Sequence, residues 1–273
     1  MAAGMIRTLA ALLAALVLAS CRQDAATQDG GTAQAPDGDA AVLALLKARY
    51  GAPARLKGPW TQRLDDPQLD PARQVQRALC ADRGITLAGG RYRMLAVCTR
   101  YADATPVELG VSDFIVLREA ADGSVGVAAE LPGRASGSGG QPGAISILEV
   151  GAGAWAYQID EERVVVGARM RDRSWLVFDG GDTVAEAGWL RAHLDDQNAI
   201  DCVTTGSCRP GTLDLDFDAR PDDSEPGLRY WPLRVHETGN GCTGAVDALH
   251  SIAYDPAQSR YLVPARMQRE ACG

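Results

Sequence analysis

From about residue 85 onward the chain is a succession of short apolar runs, cut roughly every 8 to 12 residues by glycine- and aspartate-rich punctuation. This rhythm constrains the fold more than any other feature. A helix needs an apolar stripe sustained over several turns, and a parallel sheet needs long helical crossovers between its strands. Here "ITLAGGRYRMLAVCTRY" reads as two strands turning at Gly89-Gly90. "DFIVLREAADGSVGVAAEL" reads as two more around Asp122-Gly123, a dipeptide suited to the positive φ of a tight hairpin. "AISILEVGAGAWAYQIDEERVVVGARMRDRSWLVFDGG" gives four runs, broken at Gly151, at Asp160-Glu161-Glu162, at Arg171-Asp172-Arg173 and at Gly180-Gly181. "GTLDLDFDAR", "LRYWPLRVHE", "AVDALHSIAY" and "SRYLVPARM" continue the series. The expected fold is mainly β, an antiparallel sandwich or barrel-like domain stabilised by disulfides. No repeat of fixed period supports a propeller.

Before residue 85 the texture differs. In "DAAVLALLKARYG", Val42, Leu45, Leu46 and Tyr50 share a helical face, Asp39 can cap and Gly51 can terminate. A short N-terminal helix is therefore expected. "DPARQVQRALC" suggests a second, with Asp70 as cap and Pro71 in the first turn. "PGRASGSGGQPG", Pro132 to Gly143, reads as a long flexible loop within one domain. It is not a phosphate loop, since no lysine follows and its flanks read as strands.

Seven cysteines are an odd number. The first follows Arg7 and an unbroken apolar run from Leu9 to Ala19, too short for the roughly 20 residues of a membrane span. Leu18-Ala19-Ser20-Cys21 resembles the lipobox of bacterial lipoproteins, and "MIRTLAALLAALVLASC" from Met5 would suffice as the signal. The resemblance covers only the first 21 residues. It implies cleavage after Ser20 and acylation of Cys21, which would tie the chain to a lipid bilayer; two or three acyl chains hold stably where one does not. By analogy with lipoprotein sorting, Arg22 after the anchor implies the outer membrane, facing the periplasm. Residues 1–20 are then the signal and 21–38 the acylated cysteine with a tether. "RQDAATQDGGTAQAPDG" is too polar to fold and has a coil reach of roughly 20–25 Å. Residues 39–273 form a single β-rich domain. Its later half is also similar in cadence to proteobacterial envelope proteins, a likeness that carries no function.

Six cysteines remain, Cys80, Cys98, Cys202, Cys208, Cys242 and Cys272, and in an exported chain an even set reads as disulfides. Fifteen pairings are possible, and pairing of sequence neighbours is the economical one. Without C-x-x-C spacing or a nearby histidine, a zinc site is disfavoured.

Lys and Arg number 27 against 35 Asp and Glu. Loss of residues 1–20 removes one arginine and takes the net charge from −8 to −9. An acidic chain with no basic stripe argues against nucleic acid and against electrostatic docking on anionic lipid. In "TLDLDFDAR", Asp214, Asp216 and Asp218 alternate with Leu213, Leu215 and Phe217, so a strand would set three carboxylates on one face, about 6.8 Å apart. They are the candidate calcium ligands, although Ala219 stands where an EF-hand-type loop requires glycine; otherwise they form a solvated face. "CVTTGSC" would, if bridged, display Thr204, Thr205 and Ser207 on a rigid recognition loop. His193, His236 and His250 are the only histidines; the last two could approach each other in paired strands as a metal or acid–base site, and otherwise read as ordinary strand histidines. No G-x-S-x-G elbow is present. With 3 Phe, 7 Tyr and 5 Trp, aromatic residues are few for a sugar-stacking cleft in addition to a core, and the tryptophans read as packing.

The leading expectation is an accessory or binding protein that presents a surface to another envelope component, with no cofactor. Two alternatives stand beside it: a periplasmic hydrolase using a histidine or carboxylate site, and a calcium-dependent binding module.

Overall fold

The computed structural model describes residues 38–64, 73–198 and 213–271. They belong to one compact unit, Ala35–Gly273. Cys21, Thr204, Thr205, Ser207, Cys202, Cys208 and Cys272 lie outside the described residues.

The expected helix is α1, Gly38–Tyr50, with Val42, Leu46 and Tyr50 buried at successive turns. It ends where Gly51 takes φ 86° and its N–H returns to the Lys47 carbonyl at 2.9 Å, a left-handed cap that glycine adopts without steric cost. Five strands follow as an antiparallel meander: β1 Trp60–Leu64, β2 Arg73–Leu87, β3 Gly90–Tyr101, β4 Gly110–Glu119 and β5 Val125–Ser136. Seven more make a second meander: β6 Ala144–Gly151, β7 Ala154–Val165, β8 Ala168–Phe178, β9 Ala185–Asp195, β10 Asp214–Pro221, β11 Leu233–Gly241 and β12 Gly244–Ile252. A small hairpin, β13 Tyr254–Asp255 with β14 Arg260–Tyr261, and a 3₁₀ turn at Ala265–Met267 complete the chain.

The two sheets pack face to face. Met94, Ala96, Phe114 and Val116 of the first meet Tyr157, Ile159, Leu176 and Phe178 of the second in one core. Phe114 and Tyr157 have ring centroids 4.8 Å apart, and the Tyr157 hydroxyl donates to the Ile115 carbonyl at 3.0 Å. Leu95, Val97, Ile115 and Leu117 point the other way, against α1 and Trp60. The first sheet is thus covered on both faces, which is why β3 and β4 carry unbroken apolar runs instead of alternating ones. In β8, Leu176 enters the inter-sheet core while Trp175 enters a third cluster with Phe217, Val235, Tyr261 and Met267. The architecture is a mainly β sandwich, and among the described residues neither sheet closes into a barrel.

Cys80 and Cys98 form the expected neighbour disulfide across β2 and β3, where Cys80 sits at a bulge between Leu79 and Ala81. On the loop-entropy model a bridge of sequence separation 18 contributes about 3 kcal/mol. Cys242 is disulfide-bonded as well.

Three sequence expectations are corrected. The second helix is absent: Arg73–Cys80 begins β2, because β1 and β3 flank it and Val75 pairs with both Gln62 and Tyr101. Neither Asp160–Glu162 nor Arg171–Arg173 breaks a strand. They lie in register on β7 and β8, where Asp160 faces Arg173 and Glu162 faces Arg171, and the Arg173 guanidinium donates to Asp160 at 2.7 and 3.1 Å; between them Glu161 faces Asp172. The actual turn is Val166-Gly167. Finally, β5 runs on through Pro132 to Ser136 and leaves only residues 137–143 as a turn. There a Cβ on Gly137 would fall 2.1 Å from the Gln141 carbonyl, so the glycine permits a close approach of backbone.

Candidate functional site

Antiparallel pairing aligns one residue from each of six consecutive strands into a row. Glu162 stands opposite Arg171, Arg171 opposite His193, His193 opposite Asp216, Asp216 opposite Thr238, and Thr238 opposite Asp247. Directly opposed side chains share a face, so the row is a polar ladder. His193 Nδ1 lies 3.0 Å from Asp216 Oδ1, and Arg171 Nη2 lies 3.8 Å from the same oxygen. An ionised carboxylate only accepts hydrogen bonds. Nδ1 therefore carries the proton, and in the neutral ring Nε2 keeps its lone pair.

His193, Asp214 and Asp216 bring ligand-type atoms within 4.8 Å of one another. The strand alternation expected for β10 holds: Asp214, Asp216 and Asp218 are exposed between buried Leu215, Phe217 and Ala219. Asp218 does not join the group, because Arg220 donates to its Oδ2 at 2.7 Å. One imidazole and two carboxylates make a mixed nitrogen and oxygen set, whereas calcium takes six to eight oxygens. Sequence reading had no means of placing His193 here, since the partner strand lies beyond a long connection.

The row borders a cavity of about 640 Å³ lined by Ser138, Glu162, Val164, Arg169, Arg171, His193 and Asp216 among others. Its rim is the β7–β8 hairpin tip. Val164 is 70 % exposed and Val166 74 %, and Val166 takes φ 49° with Gly167 at 88°. That is a two-residue turn with both central residues at positive φ, a position that favours asparagine and strains a β-branched side chain. This end of an apolar run of the sequence, Val164 to Val166, is thus turned outward.

The tip lies at the strand end opposite the start of the folded domain. Asp39 of α1 pairs with Arg93 at 2.5 Å, and Arg91 opposes Glu119, which marks one end of the first sheet. At the other end Tyr101 N–H donates to the Gly140 carbonyl at 3.0 Å, and the Ser138 hydroxyl donates to the Glu162 carbonyl at 3.0 Å. The loop carrying exposed Val107 and Leu109 belongs to this distal end too, where Gly139 and Gly140 donate to the carbonyls of Pro106 and Glu108.

The other two histidines do not come together. Val235 opposes His250 and His236 opposes Leu249, so although the strands pair, His236 and His250 lie on opposite faces of their hairpin. His236 Nε2 is 2.7 Å from Asp247. His250 Nε2 is 2.8 Å from Glu237, a buried carboxylate that also accepts from Arg266 at 2.8 Å. These contacts fasten the C-terminal turn to β11 and β12.

The fold and this site define a class, an antiparallel β sandwich with an apolar, charge-bordered distal end. No family model matches the chain, and neither a curated protein nor a solved structure matches it.

Proposed function

We propose that the chain is a membrane-anchored envelope lipoprotein, held by acylated Cys21 at the outer membrane and facing the periplasm, whose domain is a non-enzymatic binding module. It presents its distal end to another envelope protein. The reading is carried by the placement of exposed apolar side chains. Of nine large hydrophobics exposed among the described residues, five (Val107, Leu109, Val164, Val165 and Val166) sit at the end remote from Gly38. An anchored domain entered at Gly38 would hold that end away from the bilayer. Full burial of one such valine against a partner contributes roughly 1.5 kcal/mol or more. A β-branched residue kept at positive φ costs about 1–3 kcal/mol, which is consistent with selection for contact at the expense of folding.

A photo-cross-linking side chain at position 165 tests the reading, with position 228, exposed at the proximal end, as control. One dominant adduct from position 165 and none from 228 is expected. Equal labelling from both positions, or none from 165, refutes it. In the same experiment Val166→Asn should weaken capture about tenfold by removing apolar contact.

A further inference from the structure

At the proximal end of the second sheet lies a cavity of about 450 Å³ lined by Asp179, Leu228, Arg229, Tyr230, Tyr254, Pro256 and Ser259. Its floor is an aromatic chain that climbs out of the core. Trp175 meets Tyr261 edge-on at 5.8 Å, Tyr261 meets Tyr254 edge-on at 5.2 Å, and Tyr254 stacks on Tyr230 at 3.9 Å and 18°. Trp175 and Tyr261 are buried while Tyr230 and Tyr254 are half-buried, so the rings run from the core to the surface.

Its polar groups are equally fixed. The Tyr230 hydroxyl and Arg229 Nη2 each donate to Asp179 Oδ2 at 2.6 Å. Partial burial works against ionisation of Asp179, but the hydrogen bonds from Tyr230 and Arg229 outweigh it and hold the carboxyl below its ordinary range. Burial, then Asp179, raises the Tyr230 phenol, which stays protonated and donating. Arg229 is 68 % exposed beyond this contact and lines the cavity. The backbone is clamped as well: Ala152 N–H donates to Leu228 and Trp231 N–H to Val150, each at 2.8 Å. Gly151 is pressed so close that a Cβ there would fall 1.9 Å from the Arg229 carbonyl.

We propose that this cavity is a carbohydrate site, in which a pyranose lays its C–H face on Tyr254, the ring of the stacked pair that Arg229 does not cover, and its hydroxyls take the Asp179–Arg229 pair and the Ser259 hydroxyl. A sugar is the ligand that needs both a flat apolar wall and planar paired donors and acceptors at its edge. The volume falls within the roughly 300–1,000 Å³ of small-ligand sites. Rooting the platform in Trp175 and Tyr261 leaves little freedom to lose on binding. Arg229 already supplies the positive charge beside Tyr230 and Asp179, its guanidinium 5.5 Å from the Tyr230 ring centre, which disfavours a cationic ligand.

The test is saturation-transfer NMR on the full chain with D-glucose, D-galactose and N-acetylglucosamine, and with tetramethylammonium as the cationic control. At least one sugar should show saturable transfer. Tyr254→Ala and Asp179→Asn should weaken it about tenfold, as loss of a stacking face or of charge-assisted hydrogen bonds does. Arg229→Ala, at an exposed side chain that leaves the core intact, should weaken it about fivefold. Absence of transfer from all three sugars overturns the site, as does transfer unchanged in Arg229→Ala or transfer from tetramethylammonium alone.

Discussion

His193 Nδ1 and Asp216 Oδ1 face each other at 3.0 Å across β9 and β10, with Asp214 beside them and Arg171 behind. The carboxylate that calcium would need as a third partner, Asp218, is engaged by Arg220. Addition of 1 mM calcium, roughly the affinity range of extracellular calcium modules, should leave the thermal midpoint unchanged. A rise of about 3 °C or more, equivalent to a sizeable fraction of a kcal/mol, would support the calcium-dependent reading.

Val166 occupies a turn position that asparagine fills without strain. Val166→Asn should therefore stabilise the domain by about 1 kcal/mol, measured by urea unfolding. The same substitution is expected to weaken partner capture, so stability and binding should move in opposite directions. A destabilised variant would show that the valine contributes to the native packing instead.

Gly151 has no room for a side chain against the Arg229 backbone. Gly151→Ala should cost about 3 kcal/mol or more, the range of strong overpacking. It should also disorder the tyrosine platform, visible as loss of near-ultraviolet circular dichroism from Tyr230 and Tyr254. A variant with wild-type stability would mean that the β6–β7 turn and the 228–230 segment separate easily.

Glu161 accepts from Gly137 N–H at 3.2 Å, yet burial raises its carboxyl above the ordinary range despite that bond and despite Arg134. A carboxyl raised in the folded state binds its proton more readily there than in the unfolded chain. The stability it confers is complete below the unfolded value and is lost as pH rises through the folded one. Glu161→Gln keeps an oxygen for Gly137 and escapes the loss. The variant should gain on wild type as pH rises from 4.5, the ordinary carboxyl value, towards neutrality. Urea midpoints at both ends of that window measure the gap, and a gap that shrinks with rising pH contradicts the assignment.

Cys21→Ser tests the anchor directly. The lipobox reading requires the variant to leave the membrane fraction or to accumulate as uncleaved precursor. Cell fractionation with an unchanged membrane-bound, processed form would remove the lipoprotein assignment and leave the distal-end argument without its reference direction.

Much of the architecture was legible because its signals are local. The helix over Val42, Leu46 and Tyr50, the hairpins at Gly89-Gly90 and Asp122-Gly123, and the alternation of Leu215, Phe217 and Ala219 with three aspartates each depend on residues a few positions apart. Neighbour pairing likewise anticipated Cys80–Cys98. The misreadings share a cause. Arg73–Cys80 looks helical, and Asp160–Glu162 and Arg171–Arg173 look like breaks, only while the strands beside them are unknown.

What the sequence determined by itself is therefore the class of fold, mainly antiparallel β with an N-terminal helix, since strand alternation, turn glycines and helix caps are written within a few residues. Only the tertiary structure decided which charges neutralise one another, that His193 meets Asp216, that Val164–Val166 face outward, and that four aromatic rings from three segments rise from the core to one cavity. Each of those depends on register between strands separated by long stretches of chain, and a slip of one residue would send every side chain of a strand to the opposite face.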